Sequence, residues 1–120
     1  MKKTKLSFVI PAKNEEGSVE ILYKEITEVC KILKNSYEII FIDDGSTDKT
    51  FTVLKKLHQR DKKVKVIRLR GNFGKSTALQ VGFNATIGNI IFTMDADLQD
   101  NPKEIPNFLK KLDSGYDLVS

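Results

Sequence analysis

Histidine and cysteine are nearly missing from this chain of 120 residues, with one of each, His58 and Cys30. A single cysteine excludes an intrachain disulfide. Its position among apolar helix residues predicts a buried thiol and fits a reducing cytoplasm. A single histidine excludes His-rich zinc sites and Ser-His or Cys-His nucleophilic catalysis. No internal repeat or low-complexity tract interrupts the chain, and no apolar run approaches membrane-spanning length. MKKTK resembles the basic start of a signal peptide, but the apolar stretch LSFVI is broken by Pro11, Lys13 and Asn14, too early for export. The expectation is a soluble cytoplasmic protein. Its net charge of +4 comes from scattered pairs such as Lys2-Lys3, Lys55-Lys56, Lys62-Lys63 and Lys110-Lys111. No aromatic residues interleave with them, so nucleic acid is not an expected partner. Solvated helix faces and turns account for the pairs, and a membrane surface or an anionic substrate is the other use for such charge.

What is present is a soluble composition, 40% apolar and 30% charged, in a length that suits one domain burying roughly 65% of its unfolded surface. Short apolar or β-branched runs alternate with helical periodicity from end to end. LSFVI (6–10), YEIIFI (37–42), VKVIRL (64–69), NIIFTM (89–94) and YDLVS (116–120) read as strands. Val19, Leu22, Ile26, Val29 and Leu33 form one helical stripe, and Phe51, Leu54 and Leu57 a second. Ala78, Val81 and Ala85 form a third within about 75–86, and Ile105, Phe108, Leu109 and Leu112 a fourth. The fourth helix has an N-cap at Asn101, Pro102 at N1, Glu104 at N3 and Gly115 past its end. Strands joined by single helices are parallel with right-handed crossovers. The fold class is therefore α/β, a three-layer sandwich around a mainly parallel, nucleotide-binding-type sheet. Its expected strand order is 3-2-1-4, with a crevice at the switch point between strands 1 and 4.

GNFGKST (71–77), followed by the strand IIFTMD, raises a P-loop. That motif needs GxxxxGK[ST], and position 69, where its first glycine belongs, is Leu69. A tight strand-to-helix connection shaped by Gly71 and Gly74 explains the segment instead. A dinucleotide cradle is also missing, because strand 1 runs into PAKNEEG rather than GxGxxG.

Two acidic clusters remain at the carboxyl ends of strands. In DADLQD, Asp95 and Asp97 can turn toward one point with Gln99, a hard oxygen set suited to Mg²⁺ or Mn²⁺ completed by substrate phosphates. The plain alternative is an acidic turn whose Asp100 or Asn101 caps the next helix. In DDGSTD, Asp43 or Asp44 can accept from a ribose hydroxyl or a base N–H. Alternatively, Asp44-Gly45 is only a turn, with Ser46 or Thr47 capping helix 2.

SFVIPAKNEE, EIIFIDDGSTDKT, RGNFGKSTALQVGFNATIGN and IIFTMDADLQDNP, in that order, resemble the successive blocks of family 2 glycosyltransferases with the GT-A fold, nearest to the dolichyl- or polyprenyl-phosphate sugar transferases. The likeness runs from about Leu6 to Ser120. It implies a nucleotide-sugar donor, UDP- or GDP-linked, a divalent metal and inverting transfer of one sugar, with a polyprenyl phosphate at the cytoplasmic membrane face as the implied acceptor. Carried over by position, Pro11, Lys13, Glu15, Ile42 and Asp44 line the nucleoside pocket. Asp95 and Ala96 lie against the ribose, sugar or diphosphate, Lys75 lies near the nucleotide, and Asp97 and Gln99 hold Mg²⁺ or Mn²⁺. Many relatives carry an aromatic at position 13, so Lys13 departs from base stacking there.

A lipid phosphate, ionised at neutral pH, needs no general base to attack the anomeric carbon. Any base is expected beyond Ser120. The chain stops inside its fifth strand, so it is expected to be the donor-binding part of a longer, catalytically more complete protein. A P-loop-like NTPase and a non-catalytic nucleotide-binding domain are the competing readings.

Overall fold

A computed structural model of the chain describes residues 4–113. Its elements alternate in order: β1 (Leu6–Ala12), α1 (Val19–Leu33), β2 (Tyr37–Asp43), α2 (Thr50–Arg60), β3 (Val64–Arg68), α3 (Lys75–Asn84), β4 (Ile90–Thr93), a 3₁₀ turn (Pro102–Glu104) and α4 (Ile105–Asp113). The strands form one parallel sheet in the order β3-β2-β1-β4, as the single-helix connections require. The expected fifth strand and Gly115 lie outside the described residues.

Side-chain alternation divides the sheet into two faces. Leu6, Phe8 and Ile10 of β1 and Ile39 and Phe41 of β2 pack with α1, α2 and Ile105, and the aliphatic stripe Val19, Leu22, Ile26 and Val29 meets them. Val9, Ile40 and Ile42 face the other way, under α3. Phe8 stacks on Phe92 with centroids 5.4 Å apart, and Phe108 of α4 tilts against Phe92 at 6.3 Å. α1 and α3 thus leave on opposite faces, which opens the crevice between β1 and β4.

The α3 stripe differs from its expected form. The buried residues are Ala78 and Gly82, while Val81 is half-buried and Ala85 is the C-cap. A Cβ at Gly82 would run into Val9 and come within 2.7 Å of Ile42 Cδ1, so the missing side chain is what lets the helix approach the sheet. The start of the fourth helix is tighter than its periodicity suggests. Asn101 caps as expected, its side chain accepting from the Lys103 amide at 3.0 Å, but the first turn is 3₁₀.

The two scarce residue types have structural uses. His58 places Nδ1 2.7 Å from the Val64 carbonyl oxygen, tying α2 to the start of β3. Burial pushes the Cys30 thiol up to about 12, against a smaller opposing effect of the Lys63 charge. Only the thiolate reacts at an appreciable rate, so Cys30 is expected to stay silent toward Ellman's reagent in the native protein. Labelling across a denaturant series should track the unfolded fraction.

Candidate functional site

The site begins with the way the segments after β1 and β2 are joined. Asn14, at φ 54°, donates its backbone N–H to Ser46 Oγ at 2.9 Å, and its own Oδ1 accepts from the amides of Thr47 and Asp48 at 2.8 and 3.3 Å. Glu15 N–H donates to Thr50 Oγ1 at 2.8 Å, and the Thr50 amide donates to Asp48 Oδ1 at 2.9 Å. PAKNEE and DDGSTD are therefore one hydrogen-bonded unit. Ser46 and Thr47 do not cap α2, since its N-cap is Lys49 and their polar groups are engaged with Asn14.

Asp43 is fully buried. Its Oδ1 accepts from the Ser46 amide at 3.0 Å, and its Oδ2, without a hydrogen-bond partner, lies 4.0 Å from Arg68 Nε. Arg68 in turn stacks over the Phe51 ring at 4.2 Å.

Asp44, also buried, turns into the segment after β3. Its Oδ1 accepts from the Phe73 amide at 2.7 Å and its Oδ2 from the Gly74 amide at 3.0 Å. The Asn72 side chain, oriented to satisfy both neighbours, donates to Asp44 Oδ2 at 3.0 Å and accepts from Lys13 Nζ. Gly45, at φ 74°, makes this approach possible, because a Cβ there would lie 2.6 Å from the Asn72 nitrogen and the Gly71 carbonyl carbon. The amides that a P-loop would offer to phosphate are thus directed at a carboxylate of the same chain.

Immediately after that loop, α3 starts with Lys75, whose Nζ lies 2.5 Å from Asp95 Oδ1 at the end of β4. The hydrogen bond to Asp95, reinforced by the charges of Asp95, Asp100 and Asp97, raises the Lys75 pKa and keeps the ammonium charged. Asp95 N–H donates to Asp100 Oδ2 at 2.9 Å, and Gln99 N–H donates to Asp97 Oδ1 at 3.2 Å across a bend in which Leu98 has φ 68°. A cavity of about 890 Å³ opens beside this turn, lined by the polar Lys75, Asp95, Gln99 and Asp100 and by the apolar Leu79, Phe83, Ile91 and Phe108.

The expected site residues therefore fall into two groups flanking the Gly71–Gly74 loop. Lys13 and Asp44 meet through Asn72 on one side, and Lys75 and Asp95 meet on the other. Pro11 and Glu15 are half-buried beside the first group. The Ile42 and Ala96 side chains are in the core, so they support the crevice from beneath. Asp97 and Gln99 are exposed on the DADLQD turn. Among the described residues, no three His, Cys, Asp or Glu side chains gather to enclose an ion. The set on the turn, one carboxylate and one amide oxygen open to solvent, suits a hard dication that takes its remaining oxygens from phosphate and water.

The glycosyl transferase family 2 model matches residues 7–120. The chain belongs to glycosyl transferase family 2. An undecaprenyl-phosphate 4-deoxy-4-formamido-L-arabinose transferase of Photorhabdus laumondii is 42% identical over 116 residues, 96% of this chain and 36% of that family member. The chain thus spans about a third of the length of the curated relatives it matches. Among solved structures, glucosyl-3-phosphoglycerate synthase of Mycobacterium tuberculosis, in complex with Mn²⁺, UDP and phosphoglyceric acid, is similar with a TM-score of 0.69 at 26% identity, covering 91% of this chain and 39% of the other. A mannosyltransferase of Pyrobaculum calidifontis shares the fold at a TM-score of 0.74 and 22% identity, covering 93% of this chain and 33% of the other. The family match and the likeness to these solved glycosyltransferases bear out the GT-A fold that the resemblance implies.

Asn14 and Asn72 were not among the sequence candidates. Each acts through hydrogen bonds to backbone or to a neighbouring side chain, for which no residue spacing exists. The glycine at position 45 was the one available signal that a loop comes close to DDGS.

Proposed function

We propose that this chain is the donor-binding part of a metal-dependent, inverting glycosyltransferase that moves a sugar from a nucleoside-diphosphate donor to a polyprenyl phosphate at the cytoplasmic face of a membrane. The observation that carries this reading is that the Lys13–Asn72–Asp44 group and the exposed Asp97–Gln99 turn both follow the carboxyl ends of strands of one parallel sheet. In this reading the first offers hydrogen-bonding groups for a nucleoside and the second offers hard oxygens for a metal. The M. tuberculosis relative bound to UDP and Mn²⁺ supports a nucleotide and metal as the pair, and the P. laumondii relative's name supports the lipid-phosphate acceptor.

Asp97 and Gln99 are the residues that would hold Mg²⁺ or Mn²⁺, which supplies Lewis-acid neutralisation of the departing diphosphate. The zipped Asn14, Ser46 and Thr47 contacts keep the nucleoside side of the crevice in one geometry, so little ordering entropy is spent when the donor binds. Pro11, Glu15 and Ile42 shape that side, and Asp95 and Ala96 form the floor at the diphosphate end. A polyprenyl phosphate brings its own ionised oxygen, so the chain need not provide a base for the attack.

Calorimetry with UDP, GDP and ATP, each with and without Mn²⁺, tests the reading. UDP or GDP is expected to bind only with Mn²⁺, and Asp97→Asn is expected to weaken that binding at least about tenfold, or ~1.4 kcal/mol. ATP binding that needs no metal and does not depend on Asp97 would overturn the transferase in favour of a nucleotide-binding domain of another kind.

A further inference from the structure

We propose that Lys75 is the resident counter-ion of the acidic end of β4 and that it makes divalent-metal binding depend on the arrival of a diphosphate. The inference rests on the transferase reading, and it concerns the order in which the crevice fills.

Two features of Lys75 carry it. Its backbone is fixed, because the residue before it, Gly74, donates its amide to the buried Asp44 carboxylate at 3.0 Å. Its side chain is not fixed by packing. It is 61% exposed, and its Nζ is held by a single charge-assisted hydrogen bond, 2.5 Å from Asp95 Oδ1. Asp97 and Asp100 add to the attraction. Asp100 is itself anchored to the Asp95 amide, so the three carboxylates and one ammonium form a single local charge group.

A dication entering beside Asp97 and Gln99 meets that ammonium as a like charge. On a solvated surface at physiological ionic strength, repulsion between a nearby ammonium and a dication lowers metal affinity about three- to tenfold. A diphosphate reverses the sign. It offers the ammonium new oxygens within reach of a flexible four-carbon stem, so Lys75 can leave Asp95 for the diphosphate. The ammonium then no longer opposes a dication at Asp97 and Gln99. Metal alone is disfavoured and metal with nucleotide is favoured, and by linkage the nucleotide gains from the metal by the same factor. The lysine of GNFGKST thus acts as a gate on metal entry.

The test measures Mn²⁺ binding by electron paramagnetic resonance on the full chain, alone and with saturating UDP or GDP. Lys75→Met is expected to bind Mn²⁺ alone about three- to tenfold tighter than wild type, and the extra affinity conferred by nucleotide is expected to shrink by at least that factor. Lys75→Gln, which keeps a polar group near Asp95 without the charge, should behave as Lys75→Met, and Lys75→Arg as wild type. Equal or weaker Mn²⁺ binding by Lys75→Met and Lys75→Gln, including no detectable binding without nucleotide, overturns the counter-ion role and leaves the transferase reading standing. Absence of Mn²⁺ binding in every variant, even with UDP and GDP, overturns both.

Discussion

Asp44→Ala is expected to lower the stability of the chain by about 3 kcal/mol and to release the loop between β3 and α3. The buried Asp44 carboxylate accepts from the Phe73 and Gly74 amides at 2.7 and 3.0 Å, and from Asn72. Charge-assisted bonds of this kind each contribute roughly 1.5–3 kcal/mol, and removing the acceptor also strands partly buried donors. Asp44→Asn should fall between alanine and wild type, because one amide oxygen remains while the amide nitrogen faces donors. Urea denaturation gives the size of the loss. Hydrogen exchange gives its place, since the Phe73 and Gly74 amides are expected to lose protection well before those of β1 and β2. Unchanged protection at those two amides would show that the loop stands without the carboxylate.

A second large effect is expected at the opposite end of the sheet. Glu38 is 2% exposed. Its Oε2 accepts from Ser7 Oγ and from the Ile87 amide, both at 2.6 Å, and its Oε1 pairs with Lys65 Nζ at 2.7 Å. Burial by itself would raise the carboxyl pKa, but the hydrogen bonds from Ile87, Lys65 and Ser7 outweigh it and hold the group below its ordinary value. Glu38→Ala leaves these donors without an acceptor and is expected to cost about 3 kcal/mol at neutral pH. The sign of the pH dependence follows from the lowered pKa. Stabilisation by the carboxylate is fully present above the unfolded value near ~4.3 and is lost as pH falls through the lower folded value. The advantage of wild type over Glu38→Gln in denaturation midpoint should therefore shrink in acid below pH ~4 and hold steady above it. An advantage that grows as the pH falls would rule out the charged form as the stabilising one.

These two carboxylates show where sequence reasoning reached and where it stopped. The sheet was legible because β1 and β2 are runs of Leu, Ile, Val and Phe too apolar for a solvated strand, and single helices between them leave one handedness and one order. The acidic clusters were legible because letters in a row at a strand end fall in one place. Glu38 was not, since inside YEIIFI it reads as the solvent-facing step of an alternating strand. Its burial depends on Ser7 and on the Ile87–Gly88 turn, 31 and 49 residues distant. The partners of Asp44 were hidden for a related reason. They are mostly backbone amides, which every residue carries and no sequence pattern marks. Gly82 escaped because a periodicity search looks for large apolar side chains, whereas α3 seats itself by lacking one.

The bonds that Asn14 makes to Ser46, Thr47 and Asp48 also bear on how such a protein can be rebuilt. Segments some thirty positions apart behave as one interchangeable cassette. A chimera that takes PAKNEE from a relative inherits a loop cut to fit that relative's DDGSTD, so grafting is expected to succeed when both pieces travel together.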